Sequence, residues 1–237
     1  FHGHPASLPW RQNWDGRNPL DLSIKELDKM RTPAAALFPR GILANSPTQP
    51  LLIKTDKFGP YRNQMLIGDM NFKRILRFIK DDVEGTIQGA LLPHLESQHM
   101  NNGNNRLTWG KDGSLFIGRT KLSWAGNRGI QRVIWDGKVD FDVQSVTLTK
   151  EGFRLSFTKP VKDLSSLKIN HYHFTYHQAY GSPRIDETAA VIQNIKLSSD
   201  GKVAHISIEN MLEGKVYDFF MDKIKSSDGE KLNGKRM

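Results

Sequence analysis

A chain of 237 residues, 38% hydrophobic and 9% aromatic, holds enough apolar side chain for one large core or two ordinary ones. No apolar run reaches the ~20 residues that cross a bilayer as a helix, and the absence of cysteine excludes disulfides, thiolate zinc sites and covalently attached c-type haem within the chain. The formal charge of +9 invites a nucleic-acid reading, but the basic residues are scattered, dense only around Lys223, Lys225, Lys231, Lys235 and Arg236. No aromatic ladder or recognised module accompanies them, so a solvated basic face and no nucleic-acid partner are expected.

The start at Phe1, without a charged or apolar leader, predicts a mature or truncated product. Residues 1–50 hold seven of the eleven prolines and predict irregular structure wrapped over a scaffold. One helix is expected over Leu22 to Met30, capped by Asp21 or Ser23, with Ile24, Leu27 and Met30 on one face and Pro33 ending the pattern. From Leu51 the pattern turns to short strands at 51–54, 64–69, 74–79 and 87–91, then a hairpin over 104–120 and a strand at 131–135. Glycines punctuate them at turn-like spacing, which argues for antiparallel β structure and against βαβ units. In the hairpin, NNRLTWGKDGSLFIGRT, Leu107, Trp109, Leu115 and Ile117 alternate with polar neighbours about a two-residue Asp112-Gly113 turn. Such a unit is the sequence form of a β-propeller blade. The segment supplies two to three blades where a ring needs about four to eight, so a propeller-completing chain or region is expected.

A boundary near 137–143 divides the chain into 1–138 and 139–237. Beyond it, strands are expected at 145–149, 154–158, 172–176, 191–197, 205–208 and 217–221, a pattern that suggests a small β-sandwich of fibronectin type III or immunoglobulin kind. The expected fold is therefore all-β: a partial, late-blade β-propeller followed by that sandwich, with an irregular N-terminal segment containing one short helix.

Several ordered motifs carry a resemblance. KFGPYRNQMLIGDM (57–70), VEGTIQGALLPHL (83–95), NNRLTWGKDGSLFIGRT (104–120), GIQRVIWDGK (129–138) and EGFRLSFTKPV (151–161) resemble large bacterial proteins similar to glucose and sorbosone dehydrogenases that use pyrroloquinoline quinone (PQQ). GHPASLPW (3–10) and YHQAYGSPRID (176–186) also look like segments of that group. The resemblance implies a six-bladed propeller followed by a β-sandwich, a periplasmic, secreted or cell-envelope location, and PQQ and calcium as cofactors of the complete protein. It further implies a sugar-like substrate, oxidised as an alcohol or aldehyde, with electrons passed to a cytochrome c domain or subunit.

Residues with the right chemistry cluster at predicted strand ends, where propeller loops meet over the central channel and arginine forks can hold carboxylates. They are Asp69, Asn71 and Arg74 at one strand end and Asn105, Arg106 and Arg119 around the hairpin; turn capping and blade-to-blade hydrogen bonding are the alternative roles. His94, near Gln88, is the candidate general base, with Arg106 beside it as a catalytic candidate. Trp124, in the loop LSWAGNRG, is placed to stack on a sugar ring. His171 and His173 share a strand face with His177 nearby, a spacing compatible with zinc, but the aromatic residues around them favour a structural outer face and no metal site is assigned. Sugar oxidation is one expected function. The other is a non-catalytic glycan-binding or subunit-docking module of an envelope complex, because two or three blades expose unpaired strand edges.

Overall fold

The structure, a computed structural model, describes residues 1–97, 99–176 and 182–237. Strands β1 (Pro47–Leu52), β2 (Met65–Asp69), β3 (Arg74–Val83) and β4 (Thr86–Glu96) form a four-stranded antiparallel meander, and β5 (Asn104–Trp109), β6 (Leu115–Lys121) and β7 (Gly126–Val133) form a three-stranded one. The remaining strands are β8 (Val143–Thr149), β9 (Gly152–Phe157), β10 (Lys168–His173), β11 (Ile185–Ala189), β12 (Ile192–Leu197), β13 (Val203–Ile208) and β14 (Val216–Phe220). They build two further antiparallel sheets, ordered β12-β13-β9-β8 and β11-β10-β14. Beyond β14, Phe219 and Met237 exchange backbone hydrogen bonds of 2.9 and 3.2 Å, so the last residues add along its free edge. The chain is mostly β, as expected, with antiparallel sheets and, among the described residues, no closed barrel.

Local chemistry accounts for the helix and for one corrected turn. Ser23 caps α1 (Ile24–Met30) in a reciprocal capping box with Glu26. Leu27 is buried and Met30 packs beside it, whereas Ile24, expected on the same face, is 47% exposed. The hairpin loop between β5 and β6 is longer than the two-residue turn expected from Asp112-Gly113. Trp109 pairs with Leu115, leaving 110–114 as the loop. The Asp112 carboxylate accepts hydrogen bonds from the Ser114 amide (3.1 Å) and hydroxyl (2.7 Å), closing an Asx turn that the aspartate's own chemistry favours over a tight hairpin. Gly113 supplies the positive φ of 89°. The sequence reading missed β11, because Asp186 has a positive φ and four of the strand's five residues are exposed, so no apolar alternation marks it.

The two meanders face each other across Ile53, Phe58, Leu66, Ile75, Leu107, Leu115 and Ile117. The far side of the four-stranded sheet, through Ile67, Leu76, Phe78 and Leu91, is covered by Leu43 and Ala44 of the N-terminal segment. A third core, around Phe141, Leu155, Phe157, Ile206 and Phe219, fills the space between the last two sheets and takes in Ile79 and Leu92 from β3 and β4. Apolar contact is therefore continuous across residue 138. At the start of the chain, Phe1, Leu8, Trp14, Leu22 and Leu27 pack around Tyr176, whose hydroxyl donates to the Gly3 carbonyl at 2.8 Å.

The meanders come into tight contact where β2 passes β5. A Cβ on Gly68 would lie 2.1 Å from the Asn104 carbonyl oxygen and 2.6 Å from Thr48 Oγ1, and Thr48 Oγ1 itself donates to that carbonyl at 2.7 Å. Backbone cannot yield as a flexible side chain can, so Gly68→Ala is expected to destabilise the fold by about 1–3 kcal/mol in chemical denaturation. Gly118→Ala, whose Cβ would meet nothing nearer than 3.6 Å, should leave stability unchanged or slightly raised.

Candidate functional site

A charged residue in the middle of an apolar run must be paired when the strand is buried, and β3 carries one, Arg77 within Ile75-Leu76-Arg77-Phe78-Ile79. Arg77 and Asp142 are both fully buried, with Arg77 Nη2 2.9 Å from Asp142 Oδ2. The guanidinium also donates to the Val143 carbonyl at 2.6 Å and to Gln64 Oε1, and lies 4.1 Å above the Tyr61 ring. Asp142 has further partners in the Val143 amide (2.8 Å), Asn233 Nδ2 (3.3 Å) and the Tyr61 hydroxyl (3.4 Å). His94 on β4 stands edge-on to Tyr61 with ring centroids 4.8 Å apart. Its Nδ1 lies 3.5 Å from Asp142 Oδ2, within ion-pair reach but without hydrogen-bond geometry. The cluster joins the four-stranded meander to the start of β8.

Each group's protonation follows from its surroundings. Burial lowers the His94 pKa, and the nearby Arg77 charge acts in the same direction against the pull of Asp142, so the imidazole is held neutral. Burial alone would raise Asp142, but Arg77, His94 and Asn233 outweigh it and the carboxylate stays ionised with a lowered pKa. The Tyr61 phenol is pushed up by burial and by the Asp142 charge. Beside the cluster opens a polar cleft of about 660 Å³ lined by Arg74, Glu96, Asp140, Glu230, Asn233 and Arg236 among others. Asn233 links the two, donating to the His94 carbonyl at 2.9 Å as well as to Asp142. Burial raises Asp140, and the neighbouring Glu230 and Asp142 charges add to the effect. The two arginines of the cleft are already engaged: Arg74 binds Glu96 at 2.6 Å, and Arg236 binds Asp218 at 2.8 Å.

The structure distributes the expected site residues over several places. Asp69 is fully buried and accepts backbone hydrogen bonds from Asn45, Ser46, Asn71 and Phe72 at 2.7–2.8 Å, fixing two loops. The Asn71 side chain accepts from Asn45, and Arg74 donates to the Ile42 and Leu43 carbonyls as well as to Glu96. Asn105 sits at a break in the β5–β6 register and donates to Thr120, while exposed Arg106 folds back onto Asn105. Arg119 keeps its Nε buried without a partner, Trp124 is 59% exposed beyond β6, and Gln88 lines a separate apolar cavity. Neither His94 nor Arg106 lines the polar cleft or the apolar cavity. His173 Nδ1 is 2.9 Å from Lys215 Nζ and 3.5 Å from Asp186, and Nδ1 of His171 is buried without a partner. His177 lies outside the described residues, and among those described no group of three or more His, Asp or Glu side chains is arranged to hold a metal ion. The side chains expected to receive the quinone carboxylates are thus dispersed over several places.

No family model, curated protein or solved structure matches this chain. Sequence reading found His94 but missed Arg77, Asp142, Tyr61 and Asn233. The signal for two of them was legible: Arg77 interrupts an apolar run, and Asp142 sits between Phe141 and Val143.

Removing one member of a buried pair leaves the other charge uncompensated. Arg77→Met is expected to lower unfolding free energy by about 3–5 kcal/mol in urea titration, and adding Asp142→Asn should recover part of that loss. His94 has a folded pKa below its unfolded value of 6.5. Its contribution is present above that pH and is lost as pH falls through the folded pKa. Stability should decline below pH 6.5, and His94→Gln should flatten that limb of the pH–stability curve.

Proposed function

We propose that the chain is the C-terminal part of a quinoprotein-like propeller protein, two late blades followed by a fibronectin III or immunoglobulin-like sandwich, and that it acts there as a docking module. The observation that carries the reading is the incomplete second meander. A propeller blade has four strands, whereas β5-β6-β7 has three and ends on β7 as an edge. Ile130 on β7 is 76% exposed and Ile134 just beyond it 65% exposed, while Val133 and Trp135 turn inward against the core between the meanders. An open edge with apolar side chains beside it is a template for strand addition. Its occupant in this reading is an extended segment of a propeller-completing chain, running along β7 as the fourth strand.

The sandwich assignment is supported by the order β12-β13-β9-β8 facing β11-β10-β14 with the C-terminal residues added. Sugar oxidation, PQQ and calcium, a cytochrome partner and a periplasmic or envelope location belong in this reading to the complete protein, on the strength of sequence resemblance. The glycan-binding version of the docking role rests on exposed Trp124; a loss of glycan binding in Trp124→Ala, with association unchanged, would favour it.

An unsatisfied edge pairs with whatever strand is offered, including a second copy. Light scattering on the isolated chain should therefore show concentration-dependent self-association. Ile130→Lys with Ile134→Lys should restore a monomer without lowering the melting temperature. A wild-type chain that stays monomeric at all concentrations would overturn the docking role.

A further inference from the structure

The geometry points to a binding site for a small, uncharged, largely hydrocarbon molecule carrying one hydrogen-bond acceptor, in the cavity where the N-terminal segment, the β3–β4 hairpin and the sandwich converge. The cavity measures about 510 Å³, within the ~300–1,000 Å³ that ligand sites occupy. Its walls are predominantly apolar: Ala36, Leu43, Leu91, Leu148, Phe153 and Phe174 come from five different stretches of chain. No single hairpin or sheet builds it, so it exists only in the assembled fold.

Charge selects against an ionic ligand. Arg31 is paired with Asp28 at 2.9 Å, Asp218 with Arg236 at 2.8 Å, and Asp81 accepts from the Leu148 amide at 2.7 Å. Lys215 contacts His173 at 2.9 Å and lies 3.8 Å from Asp186. Arg31, Lys215 and Asp218 thus have charged partners, the Asp81 carboxylate is held by a backbone amide, and Glu213 is exposed. An ion entering an apolar cavity without a free counter-charge loses its hydration uncompensated.

One polar group stands out. Tyr172 lines the cavity and is fully buried, yet its hydroxyl makes no hydrogen bond. A buried hydroxyl left unpaired is costly, and nearly all such groups in folded proteins find a partner. Burial pushes the phenol up to about 12, so it stays protonated and able to donate at neutral pH. A ligand acceptor would give it the missing bond. Gln88, at intermediate exposure, also lines the cavity and offers a carboxamide.

The inference does not rest on the strand-docking reading, since β7 takes no part in the cavity. It is tested on the full chain with N-phenyl-1-naphthylamine, a neutral apolar fluorophore, followed by competition with 2-acetonaphthone and 2-ethylnaphthalene, which differ chiefly in the carbonyl acceptor. Saturable binding at one site is expected, with the ketone favoured about three- to tenfold, the worth of one hydrogen bond. Ala36→Trp and Leu148→Phe, which fill the cavity from two different stretches of chain, should each weaken probe binding. Tyr172→Phe should abolish the preference for the ketone while leaving the melting temperature of the free protein unchanged or raised, because the hydroxyl it removes has no partner to lose. Non-saturable or absent binding, binding unaffected by both filling variants, or a ketone preference that is missing in the wild type or persists in Tyr172→Phe would each overturn the inference.

Discussion

The pairing of Arg77 with Asp142 in the dry interior is the constraint around which the rest of the molecule is arranged. Two opposite charges with no solvent exposure need most of their remaining hydrogen-bonding capacity met as well. Gln64, Tyr61, Val143 and Asn233 supply it for all but Arg77 Nε, which is buried without a partner, and they come from a loop before β2, the start of β8 and the C-terminal tail. An apolar seam could slide; a buried ion pair with this many directional partners fixes the start of β8 against the four-stranded meander in one register. The polar cleft next to it inherits its shape from the same fixation, because Asn233 belongs to both.

That arrangement explains the environment of His94. The residue looks like a general base in sequence because it is a histidine near a strand end, and its protonation is indeed strongly shaped by its neighbours. Those neighbours are the components of an interior joint, so its neutral imidazole belongs to the balance of charge around Asp142. A perturbed histidine is compatible with a structural network as well as with catalysis, and geometry separates the two where sequence spacing cannot.

Much of the β architecture was legible because period-two alternation and glycine punctuation are local signals. The strands flanking 104–120 and the strands β8, β9, β12, β13 and β14 were found within a few residues of their observed bounds. What escaped was set by partners distant in sequence. β11 has no buried face to betray it, and the loop at 110–114 widens because Asp112 captures Ser114. The convergence of Arg77, Asp142 and Asn233 spans more than half the chain, and no local pattern encodes which carboxylate an interior arginine will meet. The dispersal of Asp69, Arg74, Gln88 and Arg106 has the same origin: strand-end position is readable, but the direction in which each loop folds depends on what covers it.

The packing of Phe1, Leu8 and Leu27 around Tyr176 has a temporal consequence. Each meander can close soon after its own residues are made, since its contacts lie within a few tens of residues. The segment around Leu8, Leu22 and Leu27 packs partly on itself, but Tyr176, which completes its cover, lies beyond β10, so during synthesis the segment stays partly solvated until β10 has been made. This unit is thus completed after the two meanders and, by the same reasoning, is among the first to let go.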